Sequence, residues 1–393
     1  MAKPVWQGMV ALVGAILPLT LAIAEDRVAI PVSPEVARAV LGKPDPVAFE
    51  CPPPVPPVTD MSVMLTPYET KDPTQSKIDP QRTAQGAARY NALLQFAGQI
   101  GSLADRFMTS SPQNEAIARC AMDRLRAWAD ADALLAHVDD NDELGRHQAV
   151  MIQAWNLAGY ASALAKLGAS VDSAEADRSA ILSWFGKLAD SVEREYTGDN
   201  KWTRIGNNHL YWAAFSVGMA GAVLNDRSRF AFAMMALDRA LSEVAADGSL
   251  PKEIARGGRA MMYQNFAALP LAGLVALADA NGRKLTAAQE AALDRLVSFN
   301  SSQACDPTLA SRLSGAKQPK TADHNNLVWA DVVLPHLAGT DPQLAASLDV
   351  LVAGMRPLSH PYFGGNVSAA YNPRALGAAS ASGRPNGAVA APC

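Results

Sequence analysis

The chain has 393 residues, 49% of them apolar and 18% charged, which excludes wholesale disorder and allows one large core or two smaller ones. Aromatics stand at only 6% while Ala and Leu recur, a composition that favours packed helices over a β-sandwich. With 34 basic against 38 acidic residues the formal charge is −4. A nucleic-acid binder relying on a broad positive surface is therefore not expected, and any polyanion would have to be met locally.

Residues 1–24 carry Lys3, an apolar run over 9–21 and the small-x-small site Ala22-Ile23-Ala24, the layout of a secretory signal peptide. The apolar run is short of the ~20 residues a membrane span needs, so no stable membrane insertion is expected after cleavage. No cysteine stands beside the cut, and a lipid anchor is not expected either. The expectation is an exported protein, periplasmic or secreted. Four cysteines, Cys51, Cys120, Cys305 and Cys393, allow three complete pairings in such a compartment, and their spacing does not choose among them. No Cys/His spacing of metal-ligand type occurs, and no metal or cofactor is expected.

Residues 25–66 are rich in Pro and Val, with Pro52-Pro53-Pro54 and Pro56-Pro57 beside Cys51. They read as an extended arm lying on the domain. The polar stretch Tyr68 to Ser76 reads as a loop. From Gln85 the period turns helical, and Leu93, Ala97, Ile100, Ala104 and Phe107 share one face. Ser111-Pro112 breaks that helix, and Ile117, Ala121, Leu125 and Trp128 make the next stripe, running on to Leu134 and Leu135. Further helices are predicted over 144–167, 174–196, 208–224, 227–246, 259–280, 287–299, 326–337 and 341–355. Residues 374–393, mostly Ala, Gly, Ser and Pro, read as a disordered tail. Roughly ten helices with short connections and no convincing strand make an all-α chain. Its predicted form is an incomplete α/α toroid of antiparallel helical hairpins over 67–373.

Two polar clusters stand out. Gly206-Asn207-Asn208-His209-Leu210-Tyr211-Trp212 opens a helix through two Asn, where amide groups and free backbone N–H favour a carboxylate. The second runs from Asp247-Gly248 through Pro251, Glu253, Arg256 and Arg259 to Tyr263, with two arginines able to neutralise an acid. Taken alone, each also reads blandly, as an Asn cap before half-buried aromatics and as a pair of solvated arginines at a helix entrance.

Together they are specific. Asn207-Asn208-His209-x-Tyr211-Trp212-Ala213-Ala214, then Asp247-Gly248-x-Leu250-Pro251, then Arg256-x-x-Arg259-Ala260-x-x-Tyr263-x-Asn265 resemble, in order and separation, the periplasmic alginate lyases of polysaccharide lyase family 5. Cys120-Ala121 with Trp128, Ala131 and Ala133-Leu134-Leu135, then Trp329 and Gly364-Gly365, extend the resemblance over about Cys51 to Asn366. It implies a toroid with a deep cleft and a lid loop at Tyr68–Ser76, and a Cys51–Cys120 disulfide. Departures are Gln264 where the family often has His, Leu210 where Ser is more usual, and the bare Gly258.

The resemblance implies β-elimination on a 4-linked uronate polymer, mannuronate-rich alginate first; a monomer without cofactor is expected. Such chemistry must neutralise the C6 carboxylate, remove the C5 proton and protonate the leaving O4. Asn208 and Arg256 would hold the carboxylate, Tyr263 would act as base and then acid, and His209 would assist or serve the opposite epimer. A tyrosine with its ordinary pKa of ~10 needs lowering for this work, which Arg256 is expected to supply, giving a neutral to alkaline optimum. Tyr211 and Trp212 are expected as subsite walls, Tyr68 and Lys71 as lid contacts, and Arg259 as a further substrate contact. A lyase for glucuronan or another glucuronate-containing exopolysaccharide, and a non-catalytic sugar-binding or secretion component on the same fold, are the alternatives.

Overall fold

A computed structural model describes residues 27–381 apart from 46–47, 63–65, 70, 137–142, 169–174 and 200. The expected signal peptide and residues 382–393 of the expected tail lie outside the described residues. Helices form in the order α1 Pro34–Leu41, α2 Pro80–Thr109, α3 Glu115–Asp130, α4 Glu143–Leu167, α5 Glu175–Glu195, α6 Lys201–Ile205, α7 Asn208–Leu224 and α8 Arg227–Ser242. They continue with α9 Pro251–Ile254, α10 Ala260–Ala280, α11 Ala287–Cys305, α12 Thr308–Ser314, α13 Trp329–Thr340, α14 Pro342–Val352, α15 Val367–Tyr371 and α16 Pro373–Ala381. Two short antiparallel strands, β1 Ser359–His360 and β2 Gly365–Asn366, pair with each other.

Burial sorts these helices into two rings. From Leu210 to Ala222 every residue of α7 is buried, and α4 and α10 are buried on nearly all sides. Helices apolar all round belong inside, whereas α3 and α8 keep a polar face and lie outside. The inner helices pack in the order α2, α4, α7, α10, α13, each paired with its outer neighbour α3, α5, α8, α11, α14. This is the predicted all-α toroid of antiparallel hairpins. Residues 359–371 fill the place between α13 and α2, against α2, α4 and α13. They fit because Gly101 and Gly159 leave room: a Cβ on Gly159 would lie 2.4 Å from the Pro361 carbonyl oxygen, and one on Gly101 3.0 Å from the Gly364 backbone. Buried Lys166 donates to Asp105 Oδ1 at 2.7 Å and to the Gly364 carbonyl at 2.6 Å, tying the segment down.

The Pro-rich arm lies on the toroid. Trp128 Nε1 donates to the Val55 carbonyl, Arg124 to that of Pro52, and Leu134 N to that of Val58. Cys51 and Cys120 are joined by a disulfide, as the resemblance implied. Three expectations change. The arm is not extended throughout, since α1 forms with Pro34 in its first turn. Helix α2 begins at Pro80 rather than Gln85, because Asp79 caps the amides of Gln81 and Arg82 at 2.9 and 3.1 Å. The expected tail from 374 is helical as far as Ala381. Ala is the best helix former, Pro373 starts the turn, and the segment packs on α1 with Gly377 close to Val40.

Candidate active site

Asn207 caps α7 by accepting the His209 amide at 3.1 Å, so Asn208 and His209 stand in the first turn. Arg239 and Lys252 hold the preceding loop through the carbonyls of Arg204 and Gly206. The Asn208 donors at this helix end, expected to meet a substrate carboxylate, here meet one from within the chain. Glu253, on the short helix α9, accepts the Asn208 amide at 2.7 Å and its side-chain Nδ2 at 2.8 Å. Burial pushes the Glu253 carboxyl up to about 7, against the lowering effect of the Asn208 hydrogen bonds and of Arg256. Asn208 is thereby fixed in orientation, with its Oδ1 buried and unpartnered. Glu253 stands in the sequence cluster, but nothing in its spacing marked it as the partner of Asn208.

Behind His209 lies an arrangement that sequence reading missed altogether. His147 on α4 places Nε2 3.2 Å from His209 Nδ1, and its Nδ1 lies 3.1 Å from Glu195 Oε1 at the end of α5. The Trp202 ring stacks on His147, centroids 3.4 Å apart and planes within 7°. Burial lowers the proton affinity of both imidazoles. For His209, neighbouring His147 and Arg256 lower it further, well below the usual range.

Tyr263 sits in the first turn of α10, and its hydroxyl hydrogen-bonds that of Tyr68. The Arg256 guanidinium lies 3.5 Å from the Tyr263 ring centroid, a cation–π contact on the face of the ring. Here an expectation fails. Burial raises the Tyr263 phenol above its ordinary value and outweighs the lowering by Arg256. In this closed arrangement Tyr263 is a phenol and a proton donor.

The loop at 68–78 forms the expected lid. Tyr68 and Ile78 make an isolated bridge, and Asp72 organises the tip by accepting the amides of Thr74, Ser76 and Lys77. The lid reaches the site through its carbonyls. Arg256 donates to Thr74 and Gln75 at 2.8 and 2.9 Å, and Arg259 to Ser76 at 2.9 Å. Gln318 braces the arginine turn by donating to the Gly257 carbonyl and accepting the Met261 amide. Lys71 is exposed on the lid.

Two expected subsite walls are instead core. Tyr211 and Trp212 are 2% and 0% exposed, because α7 is an inner helix whose whole circumference is packed. Partly exposed rings nearby include Trp155, Phe266, His360 and Tyr362, from α4, α10, β1 and the turn after it. Asn265, Phe266, Trp329 and His360 help line a cavity of about 170 Å³ beside the site. Gln264 points away into the core and accepts the Leu250 amide at 3.1 Å. A Cβ on Gly258 would meet nothing within 4 Å.

Arg256, Arg259 and Tyr263 thus meet one lid on a helical toroid, and Arg256 also neighbours His209 in the turn that carries Asn208, an arrangement of polar groups suited to a bound acid. The alginate lyase family model matches residues 64–308. An alginate lyase of Pseudomonas aeruginosa strain PAO1 is 31% identical over 291 residues, covering 73% of this chain and 77% of that protein. One of Pseudomonas syringae pv. tomato is 34% identical over 206 residues, 51% of this chain and 52% of its own. Among solved structures, alginate lyase A1-III of Sphingomonas species A1 superposes with a TM-score of 0.68 at 21% identity, over 89% of this chain and 97% of that one. A variant of A1-III complexed with tetrasaccharide gives 0.70 at the same identity. The chain belongs to the alginate lyase family.

Proposed function

We infer that the protein is a polysaccharide lyase that cleaves alginate by β-elimination, with mannuronate-rich chains as the preferred substrate. Family membership supports the activity. The gathering of Asn208 and His209 with Arg256 and Tyr263, the last two held by the lid, is the observation that carries the assignment of roles. The periplasm is the proposed compartment, on the strength of the signal-like residues 1–24, and a monomer the proposed form.

In the proposed reaction the lid carbonyls release Arg256, and its guanidinium pairs with the C6 carboxylate beside Asn208. Neutralising that carboxylate stabilises the negative charge that develops when the C5 proton leaves. A base takes the proton, the C4=C5 double bond forms, the C4–O4 bond breaks, and O4 leaves with a proton from an acid. Tyr263, held as a phenol, suits the acid. The neutral imidazole of His209 suits the base, because a lone pair is available there at neutral pH whereas a tyrosinate is not.

The test is incubation of the purified protein with polymannuronate, polyguluronate and glucuronan while following absorbance of the unsaturated uronate end. Wild type should act on polymannuronate fastest, and Tyr263→Phe and His209→Ala should each be severely impaired. Binding without turnover would overturn the enzymatic reading; a faster rate on glucuronan would overturn the substrate. Equal rates for wild type and Tyr263→Phe would overturn the roles.

A further inference from the structure

The Glu195–His147–His209 line has a consequence for the chemistry of His209 itself, resting on the lyase reading above. We propose that Glu195 and His147 are positioning residues that hold His209 as its Nδ1–H tautomer, leaving the Nε2 lone pair for the cleft as the proton acceptor of the elimination.

An ionised carboxylate only accepts hydrogen bonds, so Glu195 Oε1, 3.1 Å from His147 Nδ1, places a proton on that nitrogen. A neutral imidazole with its proton on Nδ1 has a bare Nε2. That bare nitrogen lies 3.2 Å from His209 Nδ1, and two nitrogens so placed share one proton, which must then be on His209. His209 Nε2 is left unprotonated. It has no hydrogen-bond partner among the described residues, and His209 as a residue is half-buried rather than sealed in the core.

The alternative is a charged His147, which would donate to His209 Nδ1 and force the proton onto Nε2, turning a base into a donor. The surroundings oppose it. His147 is 4% exposed, covered on one face by Trp202 and approached by the Tyr196 ring. Against the single carboxylate of Glu195 stand Arg146, 3.8 Å from Glu195 Oε2, and Lys201, which lies over the Trp202 ring and 3.8 Å from Glu143. On the far side Arg256 opposes positive charge at His209. Trp202 also fixes the plane of the His147 ring, so its Nε2 lone pair is aimed along one line. Asn207 and Glu253 fix the helix turn that carries His209.

The chain holds six histidines, few enough for the imidazole nitrogens of the uniformly 15N-labelled full-length protein to be assigned by substitution. The expected spectrum at neutral pH has a protonated Nδ1 and a bare Nε2 for His209. His147→Phe keeps a ring against Trp202 but offers no nitrogen. It should give a mixture of His209 tautomers and lower kcat about ten- to hundred-fold, part of the ~10²–10⁴ that a positioned proton acceptor supplies, with KM little changed. His147→Gln, whose amide oxygen can accept from Nδ1–H, should restore the tautomer and much of kcat, which also separates the effect from a folding defect. An Nε2–H tautomer in wild type would overturn the proposal. So would a His147→Phe variant that folds with the wild-type tautomer and an unchanged pH–rate profile. A wild type with the Nδ1–H tautomer but no lyase activity on any uronate polymer would instead overturn the functional reading, and with it the catalytic use of the lone pair.

Discussion

Two histidines in this molecule are each held at both ring nitrogens or nearly so, and they end in opposite states. Where α10, α11 and α13 meet, His336 of α13 places Nδ1 2.9 Å from Asp279 Oδ2 and Nε2 2.9 Å from Glu290 Oε2, joining the three helices. Burial opposes its charge, but the hydrogen bonds and charges of the two carboxylates outweigh burial, and the pKa rises to about 8. In the cleft, His147 faces one carboxylate and one imidazole, with cations nearby, and burial prevails. A second carboxylate forces both nitrogens to donate and so makes a structural cation. Replacing it by a second imidazole leaves a lone pair to pass on. The same residue type becomes a clamp in one place and part of a base in the other.

That contrast is open to four measurements. The largest difference is expected in turnover. His209→Gln should lower kcat by ~10²–10⁴-fold, the range of general acid–base contributions, while His336→Gln leaves the rate of uronate release at neutral pH unchanged. Equal losses would erase the distinction. A smaller effect, about tenfold in kcat, is expected for Glu253→Gln, because glutamine puts an NH2 donor where one of the two acceptor oxygens facing Asn208 N and Nδ2 stood; kinetics on polymannuronate would measure it.

The clamp should show itself in stability. His336 has a folded pKa of about 8, above the ordinary histidine value of about 6.5, so its contribution is fully present below about pH 6.5 and lost as pH rises through 8. Because Asp279 is 39% exposed, solvent screening discounts the loss to about 1 kcal/mol. Urea unfolding between pH 6 and 9 should show that decline in wild type and not in His336→Gln. The smallest effect concerns the lid. Arg259→Ala removes one tether, the bond to the Ser76 carbonyl, and should change KM a few-fold with little change in kcat; a large fall in kcat would make Arg259 part of the chemistry.

Both histidine sites show what a linear reading can reach. The inner helices were legible from apolar period and length, and α7 begins at Asn208 as predicted, because its cap is local. The residues carrying the family motif, Asn208, His209, Arg256 and Tyr263, were legible for the same reason: they stand in two short segments with characteristic neighbours. Tyr211 and Trp212 shared that motif but not the cleft, since adjacent positions on a helix point in different directions and an inner helix has no free face. His147, Glu195 and Trp202 come from three separate helical segments, 48 residues separating His147 from Glu195 and 62 from His209, and no local pattern joins them. The helix at Pro373–Ala381 went unread because an Ala- and Gly-rich stretch is helical or not according to what it packs against.

Sequence alone determined the helical class, the pairing of helices into hairpins and the motif residues of the site. Each of these depends on period, caps or neighbours within a few positions. Only the tertiary structure decided the protonation of those residues. It buried Tyr263 beneath Tyr68 so that its phenol holds its proton despite Arg256, turned Glu253 onto Asn208, and set a second imidazole behind His209. The physical reason is that a proton's affinity is set by desolvation and by charges within a few ångströms, and here those charges arrive from helices far apart in the chain.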